Sequence, residues 1–230
     1  MISIIIPIYN QANKLAECLD SILEQSYQDY EIIIIDDASK DGVEKIFEKY
    51  KNRLPIKIFK QKNNQGAPAA RNRGLKESRG EYSFFCDADA ILAPKALETM
   101  LEALKKHPEA SYAYSSFLWG KKLFKIGPFS AERLKSGPCI HTMSLIKRED
   151  LPGTGWDESI KKLQDWDLYL TMLKEGHEGV WIDKILFTIQ PGGTISSWVP
   201  SFAYKLLPFL PAVKKYKKAA AIIKNKHSLR

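Results

Sequence analysis

Two aspartates separated by one alanine, Asp87 and Asp89, have the spacing in this chain best suited to holding a metal ion. They follow directly after the apolar segment Tyr82-Ser-Phe-Phe-Cys86. Two carboxylates this close repel each other unless a cation neutralises them, and Mg²⁺ or Mn²⁺ bridged to phosphates accepts such oxygen ligands. The alternative is a turn between a strand and a helix, with Pro94 in the first turn of that helix. We favour the metal site because two other polar segments are placed in the same way.

Those two segments end the first two apolar runs of the chain. Pro7-Ile-Tyr-Asn10 follows the first run, and Asp36-Asp37 follows the second. In open α/β sheets, ligands bind outside the carboxyl ends of the strands. We therefore expect the three segments to converge on one edge of a sheet and to form one site.

Two interpretations are open for the acidic segment after the second run. A carboxylate of Asp36 or Asp37 at the strand end can accept a hydrogen bond from the imide N–H of a uracil or from a ribose hydroxyl. Alternatively, the segment is a turn in which Ser39 or Asp41 caps the next helix.

Two further segments place charged residues on helices. Arg71 lies in a run of small residues, from Asn64 to Gly74, which lets a helix approach the sheet closely. It can pair there with a phosphate or with an aspartate. Gln164-Asp-Trp-Asp167 places two acids at the start of a helix, which the helix dipole alone would favour. In a cleft, a carboxylate flanked by aromatic surface can instead serve as a general base.

The elements that position these residues follow from the apolar pattern. Short branched or aromatic runs that end at polar or proline residues predict buried parallel strands. Their alternation with helical segments through about residue 115 predicts an α/β layered fold, with a mostly parallel central sheet flanked by helices. The predicted strands are Ile2–Ile6, Glu31–Ile35, Ile56–Phe59, Tyr82–Cys86, Thr142–Ile146 and Gly179–Ile182, and the predicted helices are Asn13–Gln25, Val43–Tyr50, Gly66–Lys76, Lys95–Lys106 and Asp165–Lys174, with a loop over Lys121–Pro138.

The net charge of +8 is concentrated at the C-terminal end. No acid follows Asp183, whereas nine lysines and arginines do, so the preceding part holds 35 minus 9, or 26, basic residues against 27 acidic ones. A nearly neutral body with acidic clusters argues against a nucleic-acid-binding surface. The basic stretch from Lys214 to Lys226 is either a solvated helix or a contact to an anionic membrane surface, and both interpretations are open.

The cysteines and the N-terminal run indicate a cytoplasmic protein. Cys18, Cys86 and Cys139 are odd in number and lack the spacing of a disulfide framework or a zinc site. The first apolar run has no basic segment before it, so it is predicted to be a strand and not a signal peptide. No stretch approaches the ~18 apolar residues of a spanning helix, so any membrane association is expected to be peripheral, at the inner face of the cell membrane.

Taken in order, these segments resemble the family-two glycosyltransferases of the GT-A fold. The resemblance extends from Ile4 to about Ile182, and the order of the segments is highly specific. It implies a GT-A domain over residues 1–197, with a nucleotide-sugar-binding half (1–115) and an acceptor-binding half (116–197), before a basic helical tail (198–230). The five matching segments are Pro7–Asn10, Ile35–Ser39, Asn64–Gly74, Asp87–Asp89 and Gln164–Leu170.

The resemblance also implies a role for each matched residue. Asp165 would be the catalytic base, which deprotonates an acceptor hydroxyl for in-line attack at the anomeric carbon with inversion of configuration. Asp89 would be the direct ligand of Mn²⁺ or Mg²⁺, and Asp87 would contact the metal or the ribose. The residues expected to bind the nucleotide sugar are Pro7, Tyr9, Asn10, Asp36, Asp37, Arg71 and Asp87.

The chain departs from the family pattern in two places. Many members carry a histidine beyond the last core strand, which helps to hold the metal and the diphosphate, but residues 187–198 contain none. We expect Thr194, Ser196 or Ser197 to hydrogen-bond phosphate there. The acid that usually precedes the catalytic base is also absent, and Gln164 occupies its place.

The sequence thus predicts a metal-dependent inverting glycosyltransferase that uses a nucleotide-diphosphate sugar. UDP-sugars are favoured, and GDP- and dTDP-sugars remain open. The expected acceptor is a saccharide or a lipid-linked molecule in cell-surface polysaccharide or glycolipid synthesis. The alternatives are a protein that binds nucleotide sugars without transfer, a protein that binds nucleic acid through its tail, and a nucleotidyltransferase. The first strand lacks the glycine-rich loop with a lysine that would support the last of these.

Overall fold

The computed structural model describes residues 1–192 and 209–229. In this part of the chain, strands and helices alternate regularly as far as the fourth strand, and the later elements are less regular. The strands are β1 (Ile2–Ile8), β2 (Tyr30–Asp36), β3 (Ile56–Lys60), β4 (Tyr82–Phe85), β5 (Ala90–Leu92), β6 (Tyr112–Trp119), β7 (Lys122–Phe124), β8 (Leu145–Lys147) and β9 (Gly179–Ile189), and the helices are α1 (Ala12–Leu23), α2 (Val43–Tyr50), α3 (Ala67–Glu77), α4 (Ala96–Lys106), α5 (Ala131–Ser136), α6 (Gln164–Lys174) and α7 (Pro211–Lys226).

Within the described residues, these strands form one nine-stranded sheet in the order β3-β2-β1-β4-β8-β6-β9-β5, with β7 paired to β6. The first four strands of this order run parallel to one another. Strand β8 runs antiparallel to both β4 and β6. It therefore joins the two halves of the chain into a single sheet.

Strand β1 lies inside the parallel half because its isoleucines can be buried on both faces of the sheet. In its register, Ile8 lies beside Asp36 at the end of β2, and Ile5 lies beside Phe85 at the end of β4. The segments that follow these three strands consequently emerge at one edge, as the sequence predicts.

Helix α3 approaches the sheet closely because its contact residues are small. A Cβ atom at Gly74 would lie 2.3 Å from Cγ2 of Ile5 and 3.4 Å from Cγ1 of Ile35. The first of these separations is shorter than any real contact, so only glycine fits there without a shift of the helix. This close packing carries Arg71, on the same helix, to the carboxyl ends of the parallel strands.

Four predictions of local structure are wrong. The segment Lys121–Pro138 is not a continuous loop, because it contains β7 and the six-residue α5, which are too short for a periodic pattern. Strand β8 begins at Leu145 and not at Thr142, because the preceding backbone is held in local hydrogen bonds to His141. Strand β9 continues past Ile182 through a charged, exposed stretch. Strands β5 and β6 were not predicted. Pro94 precedes helix α4 without being part of it.

The basic helix α7 packs against the domain through both apolar and charged contacts. Val213 and Ile223 are fully buried. The ammonium group of Lys226 lies 2.7 Å from Oδ2 of Asp157 and 2.8 Å from Oδ2 of Asp167, and Nε2 of His227 lies 2.8 Å from the other oxygen of Asp167. Helix α7 is thus a surface helix whose inner face is attached to the domain, and most of its lysines remain exposed to solvent. No helix of the described ranges is both long and apolar enough to cross a membrane.

Candidate active site

A cavity of about 710 Å³ lies outside the carboxyl ends of the parallel strands. Residues from distant parts of the chain meet there, which is the convergence expected from the sequence. Asn10 and Asp36 do not line this cavity, and Thr194, Ser196 and Ser197 lie outside the described residues. The predicted site residues that line the cavity are Pro7, Tyr9, Asp37, Arg71, Asp87, Asp89 and Asp165.

The two neighbouring aspartates at the end of β2 have different surroundings. Asp36 is fully buried beneath the cavity, where its Oδ1 accepts a hydrogen bond from the backbone N–H of Ser39 at 2.8 Å. Its Oδ2 lies 3.6 Å from the ammonium group of Lys60. Asp36 is the last residue of β2 and Asp37 is the first residue of the turn that follows, and only Asp37 lines the cavity.

Asp37 is the acid that lines the cavity, and it also orders the loop that leads into α3. Its carboxylate accepts hydrogen bonds from the backbone N–H groups of Gln65 and Gly66, each at 2.8 Å, and from Nε2 of Gln61 at 2.6 Å. These three donors hold the carboxylate in one orientation at the cavity wall.

Asn10, Ser39 and Asp41 connect the ends of β1 and β2. The backbone N–H of Asn10 donates to Oγ of Ser39 at 3.0 Å, and Oδ2 of Asp41 accepts the N–H of Ala12, the first residue of α1, at 2.7 Å. Helix α2 follows Gly42, which has a φ of 86°, and has no side-chain cap. The prediction that Ser39 or Asp41 caps α2 is therefore wrong, because the turn at Gly42 separates both from that helix.

The ionised form of the Asp89 carboxylate is energetically unfavourable in this structure. Burial, followed by the nearby charge of Asp87, raises the pKa of Asp89 to about 6. The ammonium group of Lys14, 3.9 Å from Oδ2 of Asp89, acts in the opposite direction. A divalent cation would offset both causes, because each acts against the charged carboxylate.

The donor groups fit a hard cation such as Mg²⁺ or Mn²⁺, because Asp87 and Asp89 supply carboxylate oxygens. No group of three or more His, Cys, Asp or Glu residues suited to a metal ion occurs within residues 1–192 and 209–229. The described chain thus supplies two carboxylates, and diphosphate and water oxygens would complete the coordination.

Arg71 connects the two sides of the cavity. One guanidinium nitrogen lies 3.1 Å from Oδ1 of Asp87, and the other donates to Oε1 of Gln164 at 2.9 Å. The guanidinium carbon lies 4.6 Å from the centre of the Trp156 ring, which suits a cation–π contact. Of the two pairings open from the sequence, the ion pair with an aspartate is present. Gln164 thus accepts from Arg71 without placing a further negative charge beside Asp165.

Asp165 lies at the start of α6, where its Oδ1 accepts the backbone N–H of Trp166 at 2.9 Å. Burial raises the pKa of Asp165 above its usual range, while His141 and Arg71 act to lower it. A raised pKa makes a carboxylate a stronger base near neutral pH. The position and the electrostatics of Asp165 therefore suit proton abstraction.

His141 is a cavity residue that the sequence did not reveal. Its ring lies between Phe117 and Phe187, at centroid distances of 4.7 Å and 5.3 Å, and its Nε2 is 3.9 Å from Oδ2 of Asp87. Burial lowers its pKa. The backbone N–H of Met143 donates to Nδ1 at 3.1 Å, so the neutral ring carries its proton on Nε2. His141 therefore presents an N–H donor toward Asp87.

Helix α7 is a second feature of the cavity that sequence reasoning missed. Ala212 and Tyr216, both on this helix, line the cavity together with Lys161 and Lys162. The basic C-terminal segment thus forms part of the wall on the side of Asp165. The only signal in the sequence was the unusual concentration of lysines.

The fold and the cavity define an α/β protein of the GT-A type, and the comparisons with known proteins agree. The chain superposes on TarS from S. aureus in complex with UDP-GlcNAc with a TM-score of 0.75 and 20% identity, covering 98% of this chain and 72% of that one. It superposes on the mannosyltransferase PcManGT from Pyrobaculum calidifontis, in complex with GDP-Man and Mn²⁺, with a TM-score of 0.66 and 20% identity, over 89% and 59% of the two chains.

The sequence comparisons identify the family. The model of glycosyl transferase family 2 matches residues 3–153, more than half of the chain. An uncharacterized glycosyltransferase of Haemophilus influenzae is 28% identical over 187 residues, which are 76% of this chain and 63% of that protein. The chain belongs to glycosyl transferase family 2, and the family and fold predicted from the sequence are confirmed. The family match ends before Asp165.

Proposed function

We propose that this protein is an inverting, metal-dependent glycosyltransferase that transfers a hexose from a nucleotide-diphosphate sugar to an acceptor hydroxyl. The observation that carries the proposal is the placement of the Asp87–Asp89 pair and Asp165 in one cavity, where Arg71 contacts Asp87 and Gln164, the residue before Asp165. Two acids suited to a metal and one suited to proton abstraction are what such a transfer requires.

The nucleoside is proposed to bind at the end of the cavity lined by Pro7, Tyr9 and Asp37. Tyr9 is 38% exposed, so its ring is available for contact with a base. We favour UDP-sugars, consistent with the UDP-GlcNAc complex of TarS, although PcManGT was solved with GDP-Man. We retain Thr194 and Ser196 as proposed phosphate contacts beyond the described residues.

Asp89 is proposed as the direct protein ligand of Mn²⁺ or Mg²⁺, with Asp87 beside it. When bound, the metal would act as a Lewis acid that stabilises the negative charge developing on the diphosphate. The chain's own residues prepare this place. Arg71 holds Oδ1 of Asp87, and the Nε2–H of His141 faces its other oxygen.

Asp165 is proposed to take the proton of the acceptor hydroxyl. The hydroxyl oxygen then forms a bond to the anomeric carbon of the sugar, and the bond from that carbon to the diphosphate oxygen breaks. The electron pair of the broken bond leaves with the nucleoside diphosphate. A single displacement of this kind inverts the configuration and needs no second carboxylate as a nucleophile.

The acceptor is proposed to be a saccharide or a lipid-linked molecule in cell-surface polysaccharide or glycolipid synthesis. Peripheral contact with the inner membrane surface remains part of the proposal, because exposed lysines of α7 suit an anionic leaflet. Cosedimentation with anionic liposomes at low salt tests that contact, and its absence would refute it.

Donor hydrolysis over a panel of UDP-, GDP- and dTDP-sugars, with and without Mn²⁺, tests the function itself. We expect release of a nucleoside diphosphate from one donor class, dependent on the metal. Hydrolysis of none of these donors, together with no stabilisation of the protein by any of them, would refute the proposed function.

A further inference from the structure

A second, smaller cavity adjoins the active site on the side of α7. It has a volume of about 260 Å³ and lies between residues 159–162 and the helix. Two of its lysines, Lys161 and Lys162, also line the active-site cavity, so the two spaces adjoin there. Lys215 and Lys218 of α7 form the opposite wall. We call this space the lysine groove.

The lysine groove concentrates positive charge without an internal counter-ion. Its lining contains four lysines and no acid. Lys161 donates to the carbonyl oxygen of Glu158 at 2.9 Å, and no carboxylate in the described ranges forms an ion pair with any of the four ammonium groups. Four lysines around one small space create a positive potential there, which favours the binding of an anion.

Lys226, on the same helix, differs from the four groove lysines because it is paired with acids. Its ammonium group contacts both Asp157 and Asp167, and it serves to attach α7 to the domain. Lys215 and Lys218 are exposed and form no ion pair with a carboxylate of the described ranges. Their charges remain available on the wall of the lysine groove.

We propose that the lysine groove binds a phosphate group of the acceptor. Several lysines around a small concave space suit phosphate, which accepts charge-assisted hydrogen bonds from several donors at once. This inference rests on the proposed glycosyl transfer, since it assigns the substrate class of the same site. The phosphate belongs either to a soluble phosphosaccharide or to a phosphate-linked lipid.

The position of the groove relative to Asp165 supports an acceptor and not a second donor. Lys162 precedes Asp165 by three residues, so their Cα atoms are at most about 11 Å apart. A molecule whose phosphate lies between the lysines can therefore place a nearby hydroxyl close to the proposed base. Ile160 and the half-exposed Ile222 add an apolar surface beside the charge.

The test compares two double variants of α7 with equal charge and equal spacing. Lys215→Gln/Lys218→Gln removes one wall of the groove. Lys214→Gln/Lys217→Gln removes two exposed lysines of the same helix that do not line it. The probes are glucose 6-phosphate, monomeric decyl phosphate, and vesicles of phosphatidylcholine with phosphatidylglycerol, each with saturating UDP and Mn²⁺ present. Binding affinity and the acetylation rate of each lysine, measured by mass spectrometry, are the readouts.

We expect a phosphate probe to protect the groove lysines from acetylation in the wild type. Its affinity should fall about tenfold or more in Lys215→Gln/Lys218→Gln, through the loss of charge-assisted hydrogen bonds, and stay within about twofold in the control. Protection by glucose 6-phosphate supports a phosphosaccharide, and protection by decyl phosphate alone supports a phosphate-linked lipid.

Two results would overturn the proposal: protection by neither phosphate probe, or equal losses in the two double variants. If equal losses are accompanied by vesicle binding, α7 acts as a membrane-surface helix. Donor hydrolysis in the absence of acceptor should be unchanged in both variants. If the wild-type protein hydrolyses no donor, the proposed function is refuted. That result differs from a lysine groove that binds no phosphate in a protein that does hydrolyse a donor.

Discussion

Replacing the proposed base tests the chemistry with little change in shape. Asp165→Asn keeps an oxygen that can accept the backbone N–H of Trp166, so the start of α6 should be preserved. It removes the carboxylate that would take the acceptor proton. General base catalysis contributes about 10²–10⁴-fold to rate, so kcat/KM should fall by that factor, equivalent to about 3–5 kcal/mol in the barrier.

The assay is release of UDP from the preferred donor, measured as a function of pH, together with the Kd of UDP. Because burial raises the pKa of Asp165 and only the ionised form accepts a proton, wild-type activity should rise with pH through a value above the usual carboxylate range. The variant should lose this rise of activity with pH. Its Kd for UDP should change less than about threefold, because the proposed nucleotide contacts are intact. Asp183→Asn, at an exposed acid, is the control. If Asp165→Asn retains more than a tenth of the wild-type kcat/KM, Asp165 is not the base.

Three further changes probe the surroundings of the site. His141→Phe keeps the aromatic packing and removes the Nε2–H, which lies 3.9 Å from Asp87, beyond direct hydrogen-bond distance. The decrease in kcat/KM should therefore be about twofold, at the lower end of the effect of one hydrogen bond. Gly155→Ala should lower the free energy of unfolding by about 1–3 kcal/mol, because φ is 65° and a Cβ would lie 2.5 Å from Oδ1 of Asn72. Gly153→Ala is the control: a Cβ there meets nothing within 4 Å, so the free energy of unfolding should hardly change. Lys226→Met should lower the free energy of unfolding by about 1–2 kcal/mol, because the buried carboxylate of Asp167 loses one of its partners. The loss is smaller than for a fully buried ion pair because the side chain of Lys226 is 36% exposed to solvent.

Each of these changes has a clear contrary outcome. Unchanged kinetics in His141→Phe would show that the donor does not matter for Asp87. Equal thermal stabilities of the two glycine variants would contradict the contact with Asn72. A Lys226→Met protein that unfolds like the wild type at neutral pH would show that the ion pairs do not attach α7.

The ion pair between Lys226 and Asp157 also predicts a pH dependence of stability. The hydrogen bond from Lys226, followed by that from Ser159, lowers the pKa of Asp157 to about 2. A lowered folded-state pKa stabilises the protein above the unfolded value near 4, and this contribution is lost as the pH falls toward 2. Denaturant titrations between pH 5 and 2 should therefore show a smaller pH dependence in Asp157→Asn than in the wild type. Equal pH dependence would contradict the ion pair.

The parallel half of the fold could be predicted from the sequence because its strands are buried on both faces. Such strands are continuous apolar runs in the sequence. The polar residues that follow them therefore indicate the ligand-binding edge of the sheet from the sequence alone. What the pattern could not decide was which of Asp36 and Asp37 faces the cavity. That choice depends on the geometry of the turn after β2 and on the donors offered by Gln65 and Gly66.

The later half could be predicted less well because its site residues depend on distant contacts. His141 reaches the cavity only because β8 pairs antiparallel with both β4 and β6, and the histidine lies in the irregular segment just before β8. Helix α7 is placed by Asp157 and Asp167, which are separated from Lys226 by 69 and 59 residues. No local periodicity encodes either arrangement.

The most direct test of the central claim is thermal stabilisation by UDP, with and without Mn²⁺, in the wild type and in Asp89→Asn. A ligand at about 100 times its Kd stabilises by about 2.7 kcal/mol, which corresponds to roughly 5–11 °C in Tm for a protein of this size. We predict a shift of that order for the wild type with Mn²⁺, and a much smaller, metal-independent shift for Asp89→Asn. Equal, metal-independent shifts in both proteins would contradict the assignment of Asp89 as the metal ligand at the donor site.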